Sequence, residues 1–130
     1  MALARIRSQQ KLLVKRYGVV GAVAGRYLEA GLHVQVMHPT RYGPAHIIAS
    51  GNNQRLVVEV VEGVAKVGPE VVDRLLKKAE LLRAKPVLVL YGDGPKLTEE
   101  ARALVQERGV KVRRLRPPVL PTDAMPRESA

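Results

Sequence analysis

The sequence predicts an α/β domain built on a central mixed sheet of five strands with helices on both faces. Three observations predict it. Two segments, RLVVEVV at 55–61 and PVLVL at 86–90, are apolar almost throughout, as strands covered on both faces are. Helical patterns alternate with strand patterns along the second half of the chain. Between residues 32 and 61, alternating or apolar runs are joined by turn-rich segments, including SGNNQ at 50–54, a hairpin signal. The predicted order is α-β-β-β-α-β-α-β, with no internal repeat.

Residues 1–7 read as a basic arm. A helix follows from Ser8 to about Ala30, stopped by Gly31. Its middle carries Gly18, Gly21 and Gly25, each costing about 1 kcal/mol against Ala inside a helix. Either the helix breaks near Tyr17–Gly18, or these glycines admit another backbone at close range. Leu32–Met37 alternates as a half-buried strand does, and His38–Pro44 is a turn. Ala45–Ala49 is a short apolar strand leading into the hairpin. The strand 55–61 is interrupted only by Glu59, a carboxylate that needs a partner if it is buried.

Gly68–Pro69 opens the strongest helix, with Pro at its first position. Val71, Val72, Leu75, Leu76, Ala79 and Leu82 share one face, with Lys77 and Lys78 on its flank. Thr98 caps a further helix with Glu99 and Glu100 in its first turn, and Gly109 ends it. Val110–Leu115 is the last strand. The core unit therefore spans 8–116, and the proline-rich 117–130 reads as a disordered tail.

Lys and Arg number 22 against 12 Asp and Glu, a net charge of +10 on 130 residues. The first 28 residues hold six bases and no acid. Such a charge on one small domain points to a polyanion, with nucleic acid the default. The absence of Cys excludes disulfide scaffolds, Cys-ligated zinc and thiol catalysis, and fits a cytoplasmic protein. No apolar run spans a membrane and no secretory signal is visible. Four Tyr with no Phe or Trp leave little for stacking unpaired bases. Arg outnumbers Lys 14 to 8, a composition compatible with a thermophilic source.

The segments AHIIASGNNQRLVVEVV at 45–61 and VGPEVVDRLLKKAELLRAKPVLVLY at 67–91 carry a resemblance. Over roughly residues 17–91 the chain resembles the archaeal Holliday junction resolvases, members of the PD-(D/E)XK, restriction-endonuclease-like nuclease superfamily. There, a turn ending in Asp leads into a short strand, a Gly/Asn hairpin, and a strand carrying Glu-x-Lys. A helix and a buried strand opening with Pro come next. The last helix and strand resemble the wider superfamily more than the resolvases. The resemblance implies a restriction-endonuclease-like fold, a homodimer, and a magnesium site whose ion polarises phosphate and activates water.

Mapped residue by residue, Glu59 occupies the Glu position, His46 the Asp position and Val61 the Lys position. No acid stands near Val20–Ala22, where a first-helix Glu is expected. One carboxylate makes a poor magnesium site, so the expectation is a catalytically degenerate member that binds DNA and needs no cofactor. A rearranged endonuclease is the alternative. Glu59 and His46 would be the ligands of magnesium or manganese, with a migrated lysine (Lys77, Lys78 or Lys66) completing the site. A third reading is a non-catalytic subunit of a nucleic-acid enzyme such as a tRNA-splicing endonuclease, whose basic-aromatic-Gly turn Arg41-Tyr42-Gly43 loosely resembles. His33 and His38 match no metal spacing with His46. The candidate phosphate contacts are Arg5, Arg7, Lys11, Lys15 and Arg16, with Arg41 and Arg55 flanking the hairpin by location. Lys111, Arg113, Arg114 and Arg116 form a second basic cluster.

Overall fold

A glycine with positive φ divides the first helical region in two. In the computed structural model, which describes residues 2–63 and 66–116, helix α1 spans Ala2–Tyr17 and α2 spans Val19–Glu29. Gly18 between them has φ 63°, a conformation an L side chain rarely adopts. The helix starts at Ala2 rather than Ser8, so residues 2–7 of the basic arm are helical and continuous with it. The physical reason is composition: five of residues 2–7 are Ala, Leu or Arg, all strong helix formers, and Ser8 lies inside the helix.

Both readings of the glycines hold, at different positions. Gly18 makes the break. At Gly21, the backbone carbonyl of Leu13 approaches so closely that an added Cβ would lie 2.0 Å from its oxygen. Gln10 Nε2 donates to the Gly25 carbonyl at 2.9 Å. The two helices therefore fold back antiparallel, with Leu13 beside Gly21 and Gln10 beside Gly25.

Strands β1 (His33–His38), β2 (Ala45–Gly51) and β3 (Gln54–Val61) form an antiparallel meander. Asn52 and Asn53, both at positive φ, make the tight turn between β2 and β3. Two-residue β4 (Lys66–Val67) precedes α3 (Pro69–Leu82), which leads into β5 (Lys85–Tyr91). Two-residue β6 (Lys96–Leu97) precedes α4 (Glu99–Arg108) and β7 (Lys111–Leu115). The main sheet runs β1-β2-β3-β5-β7, with β3, β5 and β7 parallel. This is the expected five-stranded mixed sheet. The small parallel pair β4–β6 was not expected; two residues are too few to leave a periodic signal.

The sheet has a packed layer on each face. Val57, Leu88 and Leu90 meet Val72, Leu75 and Ala79 of α3 and Ala101 and Val105 of α4. On the other face Val58, Val60, Val87 and Val89 meet Val23 and Ala24 of α2. Alternation along β3 therefore assigns Glu59 and Val61 to the α3 face. Thr98 caps α4 through its hydroxyl, which accepts from the Ala101 N–H at 3.1 Å. The proline-rich stretch 117–130 lies outside the described residues.

The Gly21 contact yields a test. Gly21→Ala is expected to cost about 3 kcal/mol or more, because backbone, not a flexible side chain, must give way. Gly18→Ala, with open space around it, is expected to cost about 1–3 kcal/mol from backbone strain alone, at φ 63° and ψ −130°. Urea unfolding of both variants checks this; equal losses would show that the close approach carries no weight.

Candidate functional site

The strand β3 carries its carboxylate toward α3, and α3 answers with a lysine. Lys78 Nζ donates to Glu59 Oε1 at 3.1 Å and to the Pro44 carbonyl at 2.9 Å. Its side chain is 3% exposed and that of Glu59 15%. The ammonium thus ties three elements together: the loop before β2, strand β3 and helix α3. An ammonium this deep requires both its charge partner and its hydrogen bonds.

His46 completes the cluster from β2. Its Nδ1 accepts the Val60 backbone N–H at 3.0 Å, and its Nε2 lies 3.5 Å from Glu59 Oε2. The β2–β3 ladder explains the first contact. Its last pair is Ile47–Val58, so beyond it β2 no longer faces β3 with backbone. The imidazole substitutes for the missing carbonyl and satisfies a donor that would otherwise be orphaned. Across β2, Met37 stands at φ 56°, and β1 skips a pair there, between Val36–Ile47 and His38–Ala45. With Nδ1 accepting, the ring proton belongs on Nε2, directed at Glu59. The separation of 3.5 Å makes that a long contact rather than a full hydrogen bond.

The structure therefore brings together Glu59, His46 and Lys78. Of the lysines put forward for the site, Lys78 is the one it brings in, and Lys77 is not. Lys77 is the residue that points outward: it is exposed, 3.4 Å from Asp73 and 5.9 Å from the Tyr42 ring centroid. Sequence carries the signal that separates them. Lys78 lies seven residues after Val71 and four before Leu82, on the apolar stripe, while Lys77 is turned a further 100° away. Val61, at the Lys position of the motif, packs into the core against α3.

The group does not fit a magnesium ion. One carboxylate is present, and one of its oxygens already faces an ammonium. The His46 Nδ1 lone pair is committed to Val60. The first-helix position at Val20–Ala22 holds no acid and lies in α2, on the opposite face of the sheet. Among the described residues no cluster of three or more His, Asp or Glu side chains could hold a metal. His33 and His38 stand at the two ends of β1 and join no such cluster.

The basic residues fall into separate groups. On α1, Arg7, Lys11 and Lys15 recur every four residues along one stripe, whereas Arg5 and Arg16 lie on another. Arg41 sits in the β1–β2 loop with its guanidinium 5.8 Å from the Tyr42 ring. Arg55 begins β3 at the far end of β2 and donates to the Leu82 carbonyl at the end of α3, at 3.0 Å. Arg41 and Arg55 are thus a strand's length apart and cannot clasp one phosphate. Arg114 donates to the Gly92 and Pro95 carbonyls, and Arg116 pairs with Asp93 at 2.6 Å. Those two are structural ties. Lys111 and Arg113, their neighbours in sequence, are exposed and have different surroundings.

No family model matches the sequence, and no curated protein matches it. Solved structures do. The chain is similar to a repair endonuclease from Pyrococcus abyssi, at 21% identity and TM-score 0.56, over 86% of this chain and 47% of that one. It is similar to EndoMS in complex with double-stranded DNA, at 20% identity and TM-score 0.55, over 86% and 45%. A third neighbour is AF1548, a protein of unknown function, at 14% identity and TM-score 0.55, over 72% and 55%. The chain spans about half the length of these neighbours. The shared architecture is a restriction-endonuclease-like α/β fold, as the motif layout implied.

The buried pair gives a second test. Lys78→Met or Glu59→Leu alone leaves an uncompensated charge and is expected to cost about 3–5 kcal/mol. The double variant Glu59→Leu/Lys78→Met is expected to recover most of that loss. A double-mutant cycle by urea unfolding measures the coupling; simple additivity would show that the two groups do not act as a unit.

Proposed function

We propose that the chain is a nucleic-acid-binding protein with a nuclease-like fold. It holds duplex or branched DNA through phosphate contacts and does not hydrolyse it efficiently. One observation carries the second half: the carboxylate at the motif's metal position is partnered by the buried ammonium of Lys78. An ammonium balances the carboxylate's charge but offers no Lewis acidity and activates no water. With Val61 at the motif's lysine position, β3 sets no cation beside Glu59 against a developing phosphorane charge; its Arg55 lies at the other end of the strand, on the Leu82 carbonyl. The first half rests on the net charge of +10, on the exposed bases of α1, and on the DNA that the neighbour EndoMS holds in its complex. The reading includes a homodimer in the cytoplasm with no cofactor, as the resemblance and composition imply. Pairing two copies doubles the phosphates that one assembly can neutralise.

A rearranged endonuclease has one observation in its favour. His46 Nε2 and Glu59 Oε2 lie 3.5 Å apart, a separation that two ligands of one divalent ion can share. Manganese accepts imidazole more readily than magnesium does. Occupation would require His46 to give up its Nε2 proton and the ammonium to retreat from Glu59. Both changes carry a cost that the present arrangement avoids.

Two measurements test the function. Binding to a duplex and to a four-way junction is expected at about 50 mM salt, falling steeply as salt rises. Absence of binding there would defeat the DNA reading. Supercoiled plasmid and junction are expected to stay intact in magnesium and in manganese. Manganese-dependent cutting abolished by Glu59→Ala would overturn the inactive reading in favour of the rearranged site.

A further inference from the structure

The two helices α1 and α2 do not cover the whole of their sheet face. Helix α2 packs over β1, β2 and β3. Beyond it, β5 and β7 border an open groove of about 580 Å³ lined by Tyr27, Gln54, Lys85, Val87, Lys111 and Arg113, among others. The strand register builds its cationic wall. Val87 of β5 pairs with Lys111 of β7, and Val89 with Arg113, so all four side chains share the α2 face. Lys85, two residues before Val87, points the same way. The floor is the apolar Val87, and no acid lines the groove.

These cations have no competing partners. Lys85, Lys111 and Arg113 are exposed and, among the described residues, none enters an ion pair. Arg26, at the end of α2, is likewise exposed and unpaired, and its charge with that of Arg113 reaches the Tyr27 hydroxyl. Burial raises the Tyr27 pKa, an effect the two arginines only partly offset. The phenol accordingly stays protonated at neutral pH and can donate to an anion. The antiparallel α1–α2 pairing also runs α1 back along α2, with Gln10 already beside Gly25. Glu59, His46 and Lys78 lie on the other face of the sheet and toward the other end of β3.

We propose that the groove between the end of α2 and the start of β7 is the principal DNA seat, taking the phosphodiester backbone between Tyr27 on one side and Lys85, Lys111 and Arg113 on the other. The proposal rests on the DNA-binding reading above and relocates its contact away from the Glu59 cluster. A phosphodiester fits for three reasons. It carries one charge per residue at a spacing that a row of cations can match. It accepts hydrogen bonds from a phenol, a guanidinium and ammonium groups. It also leaves the apolar floor to the sugars.

Fluorescence anisotropy with a labelled duplex and a labelled four-way junction, at about 100 mM salt, tests it. Lys111→Glu/Arg113→Glu is expected to weaken binding more than about tenfold and to lower the log–log salt slope by about two. The milder Lys111→Gln/Arg113→Gln is expected to lose several-fold, with an unchanged melting temperature, since both residues are exposed. Arg74→Glu/Arg102→Glu, at exposed positions of α3 and α4, makes the same change in net charge elsewhere and is expected to stay within about threefold of wild type. Three outcomes overturn the groove assignment while leaving DNA binding intact: groove variants that bind like wild type, a control pair that falls as far as the groove pair, or a salt slope that does not move. Failure of the wild-type chain to bind either DNA at about 50 mM salt would instead remove the DNA reading itself.

Discussion

The ammonium of Lys78 is the constraint around which one end of the molecule is arranged. Buried to this extent, it must be matched in charge and hydrogen-bonded. Glu59 supplies the charge and Pro44 the carbonyl. The loop before β2 is therefore held against β3 by a side chain from α3, not by backbone pairing. That contact lies where β2 and β3 part after Ile47–Val58. The His46 ring fills the resulting vacancy in the ladder and points its other nitrogen at the same carboxylate. Removing either charge would disturb the helix, the loop and the splayed strand end together.

The same arrangement explains how a fold with a nuclease-like layout persists without the motif's full complement of acids. In a metal site, two or more carboxylates repel each other until a cation is bound. Here one carboxylate remains and a covalently attached cation answers it permanently. The cluster is close to neutral overall and requires no dissolved ion to be stable. Its geometry is also saturated: Nδ1 of His46, both oxygens of Glu59 and two of the three lysine protons already face partners.

Much of this was legible in the sequence, and the reasons are specific. The buried strands announce themselves because β3 and β5 are covered on both faces and so lose polar alternation. The α3 boundaries follow from Gly68–Pro69 and the apolar stripe, and the β2–β3 turn from its paired asparagines. The identity of Glu59 as the buried charge was readable from its position in an apolar run. Its lysine partner stayed open among Lys77, Lys78 and Lys66, although helical phase distinguishes the two adjacent ones. The start of α1 was missed because a helix of favourable composition needs no visible cap. The role of His46 as a backbone acceptor was not legible at all. It depends on where two strands diverge, which no local pattern encodes. The groove was equally hidden: Lys85, Lys111 and Arg113 are dispersed in sequence, and Tyr27 joins them only through the packing of α2.

The separation of charge follows from these placements and bears on how a polyanion approaches. Near Glu59 the field is weak, because the carboxylate and the ammonium cancel within a few ångströms. Around Tyr27, among the described residues, no ion pair cancels Arg26, Lys85, Lys111 and Arg113. A concave wall of one sign against low-dielectric protein focuses potential more than the same charges spread over a convex helix do. The exposed stripe on α1 attracts phosphate at long range, but its long side chains lose more freedom on binding and are screened more strongly by salt. The groove cations stand on adjacent strands whose spacing the sheet fixes, so less ordering is left to be done. On the proposed DNA-binding reading, long-range attraction therefore belongs to the helix and register to the groove. The motif's metal position, balanced and closed, contributes to neither.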